Sequence, residues 1–449
     1  MLKPNFVSTT NACKLCTPLG ASLAFRGIEG AIPFLHGSQG CATYMRRYII
    51  SHYREPVDIA SSALSEKNAI YGGAPNLKKG ILNVMKKYEP ELIGVATTCL
   101  TETIGDDVKR ILFEFHNEFG DLDLPEIVHV STPSYNGTHT DGWHGAVKSL
   151  AEQLYDEDSP ENSSINILPN MVSCEDIRHL KEIMRNFGVK ATILPDISET
   201  FDGPSYEDYV KIPTGGTPVE SIKNMSGSRG TIEFGRCLQK ESAGTFLAGK
   251  GVPNHRIGIP MGLRESDIFF DTLEAVTGKD LPEIYEQERG RLIDAYVDGH
   301  KYVFGKRAIV YGEEDLVTGL CSFLAEIGVD VVLAGSGSRN RGLGEAVKAV
   351  TDGMGRTTPE VREGVDFHDI AEEAESLKPD LLIGHSKGYR YAKAWNIPLI
   401  RVGFPIHDRF GGQRIQTIGY KGTLALYDRI VNAVLEKKQS DSKIGYGYM

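Results

Sequence analysis

A chain of 449 residues, 41% hydrophobic and 24% charged, has room for two or three domains and the composition of a soluble globular enzyme or scaffold. Its formal net charge, 49 − 60 = −11, argues against a binder of nucleic acid, which needs a basic face. No run of about 18 or more apolar residues offers a membrane span. The opening MLKPNFVSTT has no apolar secretory core, so the expected location is a reducing cytoplasm. There the seven cysteines are expected to be ligands or inert core thiols rather than disulfides.

Residues 1–10 read as an arm without periodicity. Cys13 and Cys16 form a Cys-x-x-Cys pair, either a redox dithiol or part of a metal site; apart from Pro18, its surroundings do not match a thioredoxin active site. The apolar segment Ala31 to Leu35 runs into His36-Gly37-Ser38-Gln39-Gly40-Cys41 and then a helix-like stretch with Tyr44 and Met45. Cys41 thus sits at a turn. Backbone N–H groups there can face a sulfur, and Gly37 and Gly40 leave room beside it. A tight strand-to-helix turn with a buried thiol is the alternative. Arg46, Arg47 and Arg54 either face an anion or partner or belong to a solvated helix face.

Residues 61–75 read as a loop, and Asn76 as the cap of an amphipathic helix over 77–88 carrying Leu77, Ile81, Val84, Met85 and Tyr88. Leu92 to Ala96 is a continuous apolar run, as in a buried parallel strand, and leads through Thr97-Thr98 to Cys99. Asp106 and Asp107 suit the start of a helix with Val108, Ile111, Leu112, Phe115 and Phe119. The strand Ile127 to Val130 ends in Ser131-Thr132-Pro133-Ser134-Tyr135. Two successive strands therefore deliver Cys99 and Ser134 at their carboxyl ends, the edge where open α/β sheets bind ligands.

The polar stretch YDEDSPENS at 155–163 marks a boundary. Beyond it come a strand at Ile165 to Leu168, a helix capped by Ser173 and stopped by Gly188, and a strand at Val189 to Leu194. Residues 196–229 are loop-rich. Another unit shows a strand at Ala308 to Tyr311, a helix through Leu316 to Ile327, and strands at Val329 to Leu333, Leu381 to Gly384 and Leu399 to Val402. This alternation predicts an α/β fold: three Rossmann-like domains over 1–158, 159–304 and 305–449, with parallel sheets flanked by helices.

Several of these motifs, taken in order, resemble the nitrogenase component 1 family. They are Cys16-Thr17-Pro18-Leu19-Gly20-Ala21, His36 to Cys41, Arg54-Glu55-Pro56, Thr97-Thr98-Cys99, Gly105-Asp106-Asp107 and Thr132-Pro133-Ser134. Val402 to Ile406 with Asp408-Arg409, and Gly419-Tyr420-Lys421-Gly422, extend the match over nearly the whole chain. The resemblance is to the β-like side, and it implies three α/β domains per subunit. Leu19 to Phe25, Gly30 to Pro33 and Ser61 to Glu66 are most similar to the N subunit of the cofactor-assembly scaffold. Cys16 also lies near the start, without the long N-terminal extension of catalytic β subunits.

The resemblance implies metal ligands at Cys16, Cys41 and Cys99, with Ser134 as a cofactor-binding neighbour. Better-known scaffold N subunits keep only the match to Cys41, whereas catalytic β subunits keep all three cysteines and the serine. This sequence keeps all four, so the implied iron–sulfur cluster is a 4Fe–4S centre or a larger P-cluster-like one, shared with a partner subunit. Soft thiolates suit iron–sulfur clusters. The gaps, 41 − 16 = 25 and 99 − 41 = 58 residues, are too long for a zinc ribbon.

The implied function is that of a scaffold subunit for maturing the iron–molybdenum cofactor, with a nitrogenase or nitrogenase-like reductase β subunit as the alternative. The implied partners are an α-like, NifE-like subunit in an α2β2 heterotetramer, the MgATP-dependent nitrogenase iron protein and a donor of the cofactor precursor. The precursor itself is expected on the α-like partner. A plain nucleotide-binding Rossmann protein is disfavoured, because the sequence has neither a Gly-x-Gly-x-x-Gly strand–helix turn nor a Walker loop. Cys174, Cys237 and Cys321 lack ligand-like settings, and Cys321 falls in an apolar helix stripe.

Overall fold

The computed structural model describes residues 13–339, 342–354 and 357–444; the arm read at 1–10 lies outside them. Three sheets form, and every strand pairing in them is parallel. The first holds β1 (Ala31–His36), β2 (Ala60–Ser61), β3 (Leu92–Thr97) and β4 (Glu126–Val130), in the order β2-β1-β3-β4. The second holds β5 (Ile165–Leu168), β6 (Ala191–Ile193), β7 (Thr231–Phe234) and β8 (Asn254–Ile257), in the order β6-β5-β7-β8. The third holds β9 (Arg307–Gly312), β10 (Asp330–Ser336), β11 (Glu360–Glu363), β12 (Leu381–Gly384) and β13 (Leu399–Arg401), in the order β11-β10-β9-β12-β13.

The helices of the first unit are α1 (Thr17–Arg26), α2 (Gln39–Tyr53), α3 (Asn68–Tyr71), α4 (Ala74–Tyr88), α5 (Cys99–Ile104), α6 (Val108–Phe119) and α7 (His139–Gln153). Strand side chains alternate between faces. Ile32, Phe34, Ile93 and Val95 pack with Leu77, Ile81, Ile111 and Phe115 of α4 and α6. Ala31, Leu35, Leu92 and Ala96 face the core that contains α1 and α7. Both faces of the sheet are thus covered, which is why its strands read as unbroken apolar runs.

Around the second and third sheets lie α8 (Cys174–Phe187), α9 (Val219–Lys223), α10 (Ala243–Gly249), α11 (Leu263–Thr277), α12 (Glu283–Val303), α13 (Glu314–Glu326), α14 (Leu343–Thr351), α15 (Phe367–Leu377), α16 (Tyr389–Trp395) and α17 (Gly419–Asp441). Ser173 caps α8 in a capping box with Asp176, and Gly188 closes it at φ 62°, as the sequence predicts.

Other local readings shift. Asn76 is not a cap: α4 starts two residues earlier, with Pro75 in its first turn, and the Asn76 amide donates to the Ser62 carbonyl at 2.9 Å. The loop read at 61–75 contains α3, and the strand read at Val189 to Leu194 shortens to β6. Helices α1 and α7, which the pattern did not announce, pack at very close range. A methyl added at Gly20 would strike the His139 carbonyl, and one at Gly142 the Thr17 carbonyl. Only glycine lets the two backbones approach in this way.

Candidate metal centre at the carboxyl edge of the first sheet

Strand register brings the candidate residues together. His36 and Thr97, the last residues of β1 and β3, are paired, and Ala96 pairs with Val130 at the end of β4. The segments leading to Cys41, Cys99 and Ser134 therefore leave the sheet side by side. Gly37 is needed where the first two cross, since a Cβ there would collide with Thr98. The Thr97 hydroxyl accepts the Thr132 N–H at 2.8 Å, and Thr132 Oγ1 donates to the Thr97 carbonyl at 2.6 Å. Glu102 accepts from both Thr97 and Ser131 hydroxyls, at 2.5 and 2.6 Å. These bonds lock the loops after β3 and β4 to one another.

Cys16 arrives from another direction, as the N-cap of α1. Ser134 Oγ accepts the Thr17 N–H at 3.1 Å, satisfying a helix-end donor with a side chain 117 residues away. The Ser134 N–H in turn points at Cys99 Sγ at 3.3 Å, and Ser38 Oγ donates to Cys41 Sγ at 3.7 Å. Cys99 is exposed, while Cys16 and Cys41 are half-buried. Burial pushes the Cys16 thiol up, the Ser134 hydrogen bond pulls it down, and the charges of Cys99 and Cys41 push it up again. The three sulfurs thus share one electrostatic neighbourhood. Thiolates crowded together in this way resist ionisation until a cation compensates them.

The other cysteines sit elsewhere. Cys13 is buried against Ile309, Tyr311, Leu333 and Phe367 of the third unit, whereas Cys16 packs on the first. Burial raises the thiols of Cys13 and Cys174 far up, and that of Cys321 to about 12. The Cys-x-x-Cys pair therefore divides between two cores. Among the described residues, no three His, Cys, Asp or Glu side chains converge tightly enough to hold a single metal ion. Three separated thiols on a shared edge suit a polynuclear cluster instead, whose ligands bind different irons.

Residues that the sequence did not assign to the site complete the surroundings. Lys387, just beyond β12, reaches the Lys14 carbonyl at 3.5 Å and lies 5.9 Å from the Tyr48 ring centroid. Burial lowers its pKa, while Cys13, Glu313 and Cys16 raise it. Its place at a strand's carboxyl end was the one available signal. Tyr44 lies near Cys16, and its ring centroid is 4.8 Å from that of Tyr48. Asp106 does not serve the helix start read for it. It pairs with buried His36 Nε2 at 3.1 Å and accepts the Gly73 N–H, while Asp107 alone caps α6.

The C-terminal motifs lie at the junction of the three sheets. Phe404 packs among His52, Tyr53 and His139, with ring centroids 4.9, 6.0 and 6.1 Å away. His139 Nε2 meets Glu313 Oε1 at 3.0 Å, and His52 Nδ1 accepts the Ile406 N–H at 2.8 Å. Tyr420 donates to Asp267 at 2.7 Å. The cavity left among these groups measures about 50 Å³ and is lined by His52, Trp143, Met261 and Phe404, among others.

A family model described as nitrogenase component 1 type oxidoreductase matches residues 16–435. The chain is 36% identical over 437 residues to the nitrogenase molybdenum-iron protein beta chain of Methanothermobacter marburgensis, covering 95% of this chain and 94% of that one. It is 32% identical over 445 residues to the nitrogenase iron-molybdenum cofactor biosynthesis protein NifN of Bradyrhizobium diazoefficiens, covering 98% and 92%. A chain of a solved structure described as nitrogenase Cp1 at pH 6.5 superposes with a TM-score of 0.96 at 31% identity, covering 100% of this chain and 98% of that one.

Proposed function

The chain belongs to the nitrogenase component 1 family, on its beta-chain side, and from that premise we propose that it is the β-like subunit of a scaffold complex that matures the iron–molybdenum cofactor. The observation that carries the cluster-holding part of this reading, common to scaffold and reductase subunits, is the set of three thiols and Ser134 on the open carboxyl edge of the first sheet. Cys16, Cys41 and Cys99 hold iron of a cluster shared with the α-like partner, which supplies the remaining ligands. When bound, the cluster supplies one-electron transfer. Ser134 caps α1 and keeps Cys16 and Cys99 in place; it becomes an oxygen donor only if deprotonated. The Lys387 ammonium offsets part of the thiolate charge beside Cys16.

The cofactor precursor resides on the partner. This reading is supported by the junction of the three sheets, where a space of about 50 Å³ among Phe404, Trp143 and His52 has no room for a large inorganic cluster. Electrons come from the iron protein, which also hydrolyses the MgATP, since this sequence carries no Walker loop. Two such heterodimers form an α2β2 assembly.

The scaffold branch is preferred because Leu19 to Phe25, Gly30 to Pro33 and Ser61 to Glu66 resemble it. One observation favours a second reading, a reductase β subunit: all three thiols lie along one edge, as the catalytic ligand set requires. Substrate reduction by the complex with the matching iron protein and ATP separates the two. A scaffold gives an iron–sulfur signal with little turnover, whereas dinitrogen reduction at enzyme-like rates would overturn the scaffold reading and establish the reductase.

A further inference from the structure

Away from the thiol edge, a cavity of about 530 Å³ opens between the first and second units, beneath the segment 203–213. Arg26, the last residue of α1, lines it and is only 3% exposed. The chain around Arg26 is fixed by main-chain bonds to the second unit. The Thr217 and Asp196 N–H groups donate to the Gly27 carbonyl at 2.8 and 3.1 Å, and the Glu29 N–H donates to the Thr217 carbonyl at 3.0 Å.

The guanidinium itself is under-used. Nη1 donates to the Ala31 carbonyl at a long 3.4 Å, and Nε has no partner. Burial pulls the pKa down to about 10, while the charges of Asp58 and of Tyr206 raise it. Asp58 is already engaged by the Tyr88 hydroxyl at 2.9 Å and by Arg46 at 3.6 Å. A buried cation with an unmet N–H is costly unless an acceptor completes it, and a carboxylate presents two oxygens to a guanidinium.

The rest of the cavity defines the ligand. Ile32, Pro204, Tyr206 and Tyr209 give it an apolar and aromatic wall. The Tyr206 hydroxyl accepts the Thr214 N–H at 3.1 Å, which holds the overlying segment in place. Four carboxylates line the cavity: Glu55, Asp58, Glu199 and Asp208. Glu199 is paired with Arg178 at 3.2 Å, and the other cation, Lys211, with Glu89 at 3.2 Å. Glu55 is raised by burial and by Asp202, and lowered by Arg414. Acids along the lining repel multiply charged anions such as phosphates, yet favour an ammonium. One buried cation among several carboxylates therefore matches a ligand that carries both charges.

We propose that this cavity binds a small zwitterion of amino-acid type with an apolar side chain. Its carboxylate meets the Arg26 guanidinium, its ammonium faces Glu55, and its side chain lies against Tyr206 and Tyr209. The volume falls in the range of small-molecule sites.

The test is calorimetric titration of the full chain, purified anaerobically with its partner. The probes are L-phenylalanine, 3-phenylpropionate (without the ammonium) and 2-phenylethylamine (without the carboxylate). Saturable binding of phenylalanine is expected, with each half-ligand weaker by roughly tenfold to a hundredfold, the worth of a charged hydrogen bond. Arg26→Met should abolish binding. Tyr209→Ala, at a position 83% exposed and so tolerant of change, should weaken it several-fold and decides the matter if Arg26→Met does not fold. Equal binding of phenylethylamine would make this a cation site, and equal binding of phenylpropionate a simple carboxylate site. Either result would overturn the proposal, as would no saturation with any probe or undiminished binding in Tyr209→Ala.

Discussion

The carboxyl edge of the first sheet and the junction of the three sheets are both built from strand ends, glycine turns and helix starts, and they end in opposite conditions. At the edge, Cys99 is exposed, Cys16 and Cys41 are half-buried, and the thiols meet few groups that satisfy them. At the junction, Trp143, Phe404, His52 and Tyr53 close around a space of about 50 Å³, and charged groups such as Glu313 and Asp176 are met by His139, Thr417 and Ile418. The difference teaches where each kind of energy is stored. The junction contributes packing to this chain alone, whereas the proposed function has the edge completed by metal and a second chain.

The largest expected effect breaks the edge without touching the junction. Cys41→Ala should remove most of the iron and sulfide from the anaerobic complex, read by metal analysis and paramagnetic resonance. Cys321→Ala, in the fully buried core of the third unit, should keep both and cost roughly 1–3 kcal/mol of stability. Unchanged iron in Cys41→Ala would erase the contrast between the two sets of thiols.

The converse change attacks the junction. Phe404→Ala removes the ring packed among His52, Tyr53 and His139, and should cost about 3–5 kcal/mol in urea unfolding. Iron per heterodimer should stay at its original level in the folded fraction. Iron lost in step with Cys41→Ala would show the two regions to be one.

Acid should weaken the junction next. Burial drops the pKa of His52, at the junction, and of His385, packed on Tyr311 and Phe367 of the third unit, to about 3, against about 6.5 in an unfolded chain. The unfolded chain then binds protons first, so the stability from these neutral rings is whole above pH about 6.5 and is lost as pH falls toward 3. The loss reaches up to ~1.4 kcal/mol per pH unit for each ring. Urea midpoints at several pH values below neutrality should show this slope. His385→Phe, which replaces one of the two rings, its Nδ1 without a partner, should reduce the slope by about half.

The smallest effect sharpens the picture of the edge. Ser134→Ala leaves the Thr17 N–H uncapped and should cost about 0.5–2 kcal/mol, as a lost helix cap does. Iron should remain, while the midpoint potential read by redox titration shifts, because the hydroxyl beside Cys16 and Cys99 is gone.

Local order was written in the sequence. The apolar runs at Ile165–Leu168 and Leu381–Gly384 became strands with those bounds, and Ser173 and Gly188 bracketed their helix, because period, cap and stop act within a few residues. Residue chemistry was legible too: soft thiols after strand ends and glycine turns marked the edge, and the ordered motifs pointed to the family. The gathering of Cys16, Cys41, Cys99 and Ser134 was decided only by tertiary structure. It depends on the register of His36 with Thr97, and on Gly20 and Gly142 letting α1 lie against α7. Cys13 and Cys16, three residues apart in sequence, part into different cores, while Lys387 joins them from the third unit. Strand order, helix crossing and the sorting of neighbours between cores are set by long-range packing, and no window of sequence contains both partners of such a contact.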